Sequence, residues 1–494
     1  MRCIAITFCD LNIVIRTVHE LCSCTMALHC VCHSSDTSGK IHNPLQSTIV
    51  ISTSFFFVFS AFMSIQALQN SLNMEEGLGV KSLACLYSTS IVSSVLAPTV
   101  IKVLGGKLTT IAAFSCHTVY TLTNFYPTFY TLIPSSLLLG LATGPLWTSQ
   151  NLYIAASATR ISQKNNKELI YILNKHNGIF YSLMGIAFAS GSIVSSVIFR
   201  HDLITETNNS TQFCGVQICT EANLFNFTQN IPISKPSSDL LIQLFSVYLA
   251  FDIIGIIITA LFLPTLPVSD WTQKTSAVKS IYSMFSAMID MKMILFLPLA
   301  FTVGLLRFVL YADYTRAYVT CPFGVGMVGY VMASFSLTNT IFLQIVPRVA
   351  KYVRRQILVA LATVIIIVEM MLWLIWNPLY DQLPLVFLSS IVWGIADSVL
   401  RLETVGVIPL IFPENKEPAF ANVHFWNGLM ATVYFASASY LCVFTKLVIC
   451  IATLLVSTAL YSVLEVIKGR ESKEKLVVQK LKVDEEENLK PSET

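Results

Sequence analysis

The chain has 494 residues, of which 54% are hydrophobic and only 12% charged, with a formal net charge of +3. A soluble domain carries about 25% charged residues, so this chain has too little polar surface to cover itself in water. The near-neutral balance excludes nucleic acid as a partner and leaves lipid as the solvent for much of the surface.

From the N-terminus, residues 1–47 mix short apolar runs with Asp10, Arg16, His19 and Glu20, and read as a cytoplasmic tail. Cys3, Cys9, Cys22, Cys24, Cys30 and Cys32 crowd this tail. Their Cys-x-Cys spacing differs from the Cys-x-x-Cys of zinc folds, which favours reactive or palmitoylated thiols over a metal site. Apolar stretches long enough to cross a bilayer then run at 48–70, 82–104, 108–126, 130–157, 177–199 and 239–263. A polar connector at 266–292 precedes a second set at 293–311, 324–346, 356–376, 384–405, 420–443 and 447–467. A span of about 20 apolar residues matches the hydrocarbon thickness, and nothing alternates as a barrel strand does. The expected architecture is therefore an all-α membrane protein of about twelve helices. They fall into two six-helix halves, 48–265 and 293–467, followed by a disordered cytoplasmic tail at 468–494.

Basic residues in short loops set orientation. With the N-terminus inside, fourteen Lys and Arg fall in inward connectors, among them Lys102, Lys107, Arg160, Arg354 and Arg355. Five fall outward: Lys81, Arg200, Lys235, Arg316 and Lys446. Both termini are thus expected in the cytoplasm. The longest outward loop, 200–238, holds glycosylation acceptors at Asn208, Asn209 and Asn226, which agrees with an extracellular or lumenal position. Cys214 and Cys219 share that loop and are expected to form a small disulfide there.

Ionisable side chains inside spans are expensive and each is a functional candidate. These are Asp252, Arg307, Glu369, Asp397, Arg401 and Glu403. Asp397 and Arg401 stand four apart on one helix face, where they either line a central cavity that binds an ion or solute, or only neutralise each other. Arg307 lies where the first helix of the second half would line that cavity, either attracting an anion or, as favoured, pairing with Asp397 across the bundle. Asp252 and Glu369 lie near span ends and are expected to be solvated. Arg307, Asp397, Arg401 and Glu403 together form the candidate cavity group. No Gly-x-x-x-x-Gly-Lys-Ser/Thr loop or hydrolase motif occurs, so neither a cofactor nor an enzymatic activity is expected.

Several strings carry a family likeness. They include Ser71-Leu72 with Glu75-Glu76-Gly77-Leu78-Gly79-Val80, then Tyr130-Thr131-Leu132-Ile133-Pro134, Leu138-Leu139-Gly140 and Pro145-Leu146-Trp147. Later come Tyr314-Thr315-Arg316-Ala317-Tyr318-Val319-Thr320-Cys321, Val328-Gly329-Tyr330-Val331-Met332, Trp393-Gly394-Ile395-Ala396-Asp397 and Ala419-Phe420-Ala421-Asn422. Together they resemble the Unc-ninety-three family of ion channel regulatory proteins within the major facilitator superfamily, above all its homologue A branch. The resemblance implies a major-facilitator-like fold in the plasma membrane or an endomembrane. It also implies a role as accessory subunit of a potassium channel or as escort of a membrane partner; the alternative is a secondary transporter of a small solute or ion. The loop of Lys102, Gly105, Gly106 and Lys107 departs from the superfamily pattern, because it lacks the acidic residue of the transporter gating motif.

Overall fold

The computed structural model describes residues 44–73, 77–166, 169–200, 214–218, 236–265, 277–350, 352–412, 416–438 and 440–488. The cysteine-rich N-terminal segment, Asn208, Asn209, Asn226 and Cys219 lie outside the described residues.

Among those described, eleven helical stretches are long and apolar enough to cross a membrane. In lipid every backbone N–H and C=O must be satisfied within the segment, which a helix alone does without a partner strand. The helices are α1 (Pro44–Leu72), α2 (Leu78–Thr123), α3 (Phe129–Asn165), α4 (Leu169–Ile198) and α5 (Ser238–Phe262). After a short connector helix α6 (Ala277–Met288) come α7 (Met291–Phe308), α8 (Val325–Val349), α9 (Arg355–Ile375) and α10 (Leu383–Ile411). The chain ends with α11 (Lys416–Ser437) and α12 (Val443–Asn488). α11 is as long as α9 but more polar, carrying Asn422, His424 and Asn427, and is not among the eleven. Large apolar side chains such as Val103, Leu261 and Ile375 project outward, 70% or more exposed, as lipid-facing residues must.

α2 holds two spans separated by one non-helical residue, Gly105, at φ 71° and ψ 162°. That left-handed φ suits glycine. Side-chain contacts with α3 show that the chain reverses there. Thr89 meets Leu137 and Ser93 meets Gly140, advancing together along both segments. By contrast, Thr110 meets Ser149 while Thr123 meets Ser135, running in opposition.

α1 packs against α2, α3, α4 and α5, while α7 packs against α10, α11 and α12, and α8 against α10. These two sets join where α4 meets α8, α2 meets α11, and α1 meets the segment following α7. Small residues permit the close crossings. A Cβ at Gly191 would collide with the Ser60 carbonyl, and one at Gly329 with the Ser192 carbonyl. In lipid, where water gives no hydrophobic drive between helices, such backbone proximity supplies van der Waals contact.

Two expectations are overturned here. Residues 312–323, expected as a loop, continue α7 as a π-helix (Val309–Thr320) and one further α-turn. The segment stays buried because its aromatic side chains stack inward: Tyr314 on Trp373 at 4.5 Å, Trp373 on Trp393 at 4.7 Å, and Tyr318 near Trp376 at 5.9 Å. The tail expected to be disordered from 468 is instead helical to Asn488. Its Glu-, Lys- and Leu-rich sequence propagates a helix already nucleated in the membrane.

Candidate functional site: a polar chain through the bundle

α7 carries Arg307 in its last turn, and Tyr311 follows one turn later. α10 carries Asp397 and Arg401 on one face, since four residues advance a helix by slightly more than one turn. Asp397 is buried and accepts a hydrogen bond from Asn339 Nδ2 on α8 at 2.9 Å; the same amide also donates to the Gly394 carbonyl at 3.1 Å. Arg307, Tyr311, Asp397 and Arg401 lie within electrostatic reach of one another. Tyr181 of α4 reaches Arg401 from the other helix set, and Tyr87 of α2 reaches Arg307. Tyr87 in turn accepts from Gln66 Nε2 of α1 at 2.6 Å. Helices α1, α2, α4, α7, α8 and α10 thus each bring a polar side chain to one region of the bundle.

Three of the four expected cavity residues come together. Glu403 does not: two residues beyond Arg401 it turns to the opposite face of α10, with its carboxylate 3.7 Å from Arg355 Nε. The direct pairs also fail to form. Among the described residues neither Arg307 nor Arg401 has an ion pair within 4.0 Å or a hydrogen bond, and Asp397 takes the neutral amide of Asn339 instead.

A second charged cluster was not anticipated. Asp313, inside the π-helix, receives Lys446 Nζ at 2.6 Å and the Tyr434 hydroxyl, all three side chains being buried. Lys446 also lies 5.5 Å from the Tyr434 ring centre, within cation–π range. Lys446 had been counted as an outward loop residue, and Arg316, counted likewise, also lies within the π-helix. The sequence signal was available: Asp313 sits in a segment whose neighbours are almost all apolar or aromatic.

Asp252 and Glu369, expected at solvated ends, are buried at 0% and 7% exposure. Asp252 accepts from Thr121 Oγ1 at 2.6 Å, which holds α5 against α2. The expected Cys214 to Cys219 bridge is replaced by one from Cys214 to Cys321, with a Cα separation of 5.7 Å and 107 residues apart in sequence. The helical extension beyond residue 311 brings Cys321 up to the loop, and Gly215 fits there beside the Trp376 carbonyl. Cys442 is disulfide-bonded as well.

The bundle is closed at the disulfide end. Asn70 Nδ2 of α1 donates to the Ala312 carbonyl at 2.8 Å, Ser71 meets Thr320 at 3.0 Å, and the Tyr330 N–H donates to Ser196 Oγ at 2.8 Å. Halfway along α4, Tyr181 is 43% exposed, and Arg307 and Arg401 are half-buried. No group of three His, Cys, Asp or Glu suited to a metal occurs among the described residues.

Comparison with known proteins places this geometry. The family described as ion channel regulatory protein UNC-93 matches residues 70–461. Protein unc-93 homolog A of Xenopus laevis is 34% identical over 438 residues, covering 87% of this chain and 95% of that protein. The human protein of that name is 32% identical over 436 residues, covering 86% and 94%. A Caenorhabditis elegans protein named putative potassium channel regulatory protein unc-93 is 27% identical, covering 81% of this chain and 58% of that one. Among solved structures, the nucleoside transporter NupG aligns with a TM-score of 0.57 at 17% identity, covering 85% of this chain and 99% of that chain. The xylose transporter XylE from E. coli aligns at 0.56 and 13%, covering 85% and 97%. These two likenesses establish a shared membrane fold, and the sequence matches establish kinship. The chain belongs to the UNC-93 family of ion channel regulatory proteins.

Proposed function

We propose that the chain is a non-enzymatic accessory subunit in the plasma membrane that regulates an ion channel, of the potassium-conducting class that the nematode relative's name suggests. The observation that carries this reading is the family match across 70–461, supported by the likeness to that relative over most of this chain. In this reading the α1–α5 and α7–α12 sets are two six-helix halves, with both termini cytoplasmic. The disulfide end then faces the oxidising exterior, where bridges such as Cys214–Cys321 persist, and Asn208, Asn209 and Asn226 carry glycans. The backbone-level contact of α4 with α8 and the absence of an acidic residue beside Gly105 favour a bundle that holds a partner over one that rocks. Co-purification from mild detergent with a channel subunit, and a changed current in cells lacking this chain, are the expected results. Purified protein that moves solute in vesicles, with channel current unchanged by its removal, overturns the reading.

One observation favours a second reading, a secondary transporter of a small solute. Arg307, Asp397 and Arg401 sit half-buried or buried between the two halves, where transporters of this fold hold their cargo. On that reading Asp397→Asn abolishes uptake while surface expression survives; uptake unaltered in this variant rejects it.

A further inference from the structure

Two guanidinium groups and one carboxylate leave the centre of the bundle with a single uncompensated positive charge. Arg307 and Arg401 both lie within electrostatic reach of Asp397. Neither has a hydrogen-bonded or ion-paired partner among the described residues. Glu369 sits on α9 against Ser389, and the remaining buried acidic side chains have partners of their own. Glu403 faces Arg355, Asp313 is held by Lys446 and Tyr434, and Asp252 by Thr121. A guanidinium in a low-dielectric interior is expensive when unpaired, and two sharing the reach of one carboxylate are more so.

The groups around this charge are aromatic hydroxyls. Tyr311 packs edge-on to Phe188 at 5.3 Å and Phe335 at 6.1 Å, and its hydroxyl has no hydrogen-bond partner among the described residues. Tyr181, 43% exposed, brings a second such hydroxyl from α4. With the Asn70 to Ala312 and Ser71 to Thr320 contacts shutting the disulfide end, entry is from the end at which α4 begins. An anion there meets two planar donors, whose forks suit a carboxylate, and apolar ring faces that suit an organic body.

We propose that Arg307 and Arg401, with the Tyr311 and Tyr181 hydroxyls, form a binding site for an organic monocarboxylate. Its single negative charge completes the neutralisation that Asp397 begins. It rests on the solute-binding reading of this same group and names its ligand class, and since it concerns binding alone it stands or falls separately from channel regulation.

The test is equilibrium dialysis of the purified full chain in detergent with labelled benzoate, using benzamide and inorganic phosphate as competitors. Saturable benzoate binding is expected, with neither competitor displacing it at equal concentration. Arg401→Gln, at a half-buried position, is expected to weaken benzoate at least tenfold, and Arg401→Lys less. Asp397→Asn should tighten benzoate and let phosphate compete, because it leaves two positive charges for the ligand. Three outcomes overturn the proposal: absence of saturable benzoate binding, equal displacement by benzamide, or an Arg401→Gln chain that elutes as wild type and binds benzoate unchanged. Phosphate preferred by the wild type overturns the monocarboxylate assignment. Benzoate binding lost with channel regulation intact, or the reverse, shows which of the two readings has failed.

Discussion

The segment from Arg307 to Asp313 serves two buried charge clusters with opposite solutions. Asp313 is saturated: a lysine on one oxygen, a tyrosine hydroxyl on the other, and a ring beneath the ammonium. Arg307, less than two helical turns before Asp313 on the same continuous helix, shares with Arg401 of α10 the reach of one carboxylate that has already accepted an amide. A closed cluster of matched charge is an assembly device, whereas an open one with surplus charge is a place for something else to bind. Charge inside a membrane bundle is therefore informative through its balance, more than through its presence.

The closed cluster should respond most strongly to substitution. Lys446→Met leaves Asp313 with a buried, uncompensated charge and should lower stability by about 3–5 kcal/mol, read as thermal unfolding in detergent. Adding Asp313→Leu should recover most of that loss. A double variant no more stable than the single would show that the pair is not the source. Next is the bridge beside it: Cys321→Ser should cost about 2–5 kcal/mol, and Cys214→Ser should add nothing further, since one bond is being removed twice. Additive losses would mean that each thiol has a separate role.

At the open cluster the expected effects shrink. Asn339→Leu takes the only side-chain donor from Asp397 among the described residues and should lower stability by about 1–3 kcal/mol. Arg401→Gln, with no protein partner to lose and a surplus charge removed, should leave stability unchanged or raise it by about 1 kcal/mol. A loss as large as that of Lys446→Met would erase the contrast between the clusters.

Much of this was legible from sequence. Span positions followed from the length of apolar runs, and the grouping of Arg307, Asp397 and Arg401 followed from rarity of charge in such runs and helical spacing. What escaped was decided by tertiary packing. Lys446 sits at the start of α12, so a charge count reads it as loop; only the fold places Asp313 opposite. Glu403 was grouped with Arg401 by proximity in sequence, although two residues along a helix separate faces. The Cys214 partner depended on a helix that continues to Thr320, well past the apolar run ending at 311, carried by stacked tyrosines and tryptophans that hydropathy undervalues. Asp252 and Glu369 looked terminal because hydropathy locates span ends only coarsely.

The first wide turn of the π-helix Val309–Thr320 separates Arg307 from Asp313 and sets the mutual phase of the two clusters. Each such turn accommodates more residues than an α-turn, so trimming one residue between Val309 and Ala312 would rotate all that follows by roughly a quarter turn relative to Arg307. Asp313 would then face away from Lys446, and Cys321 away from Cys214. The stretch works as a phase spacer: it should tolerate exchanges of similar side chains far better than any change in its length.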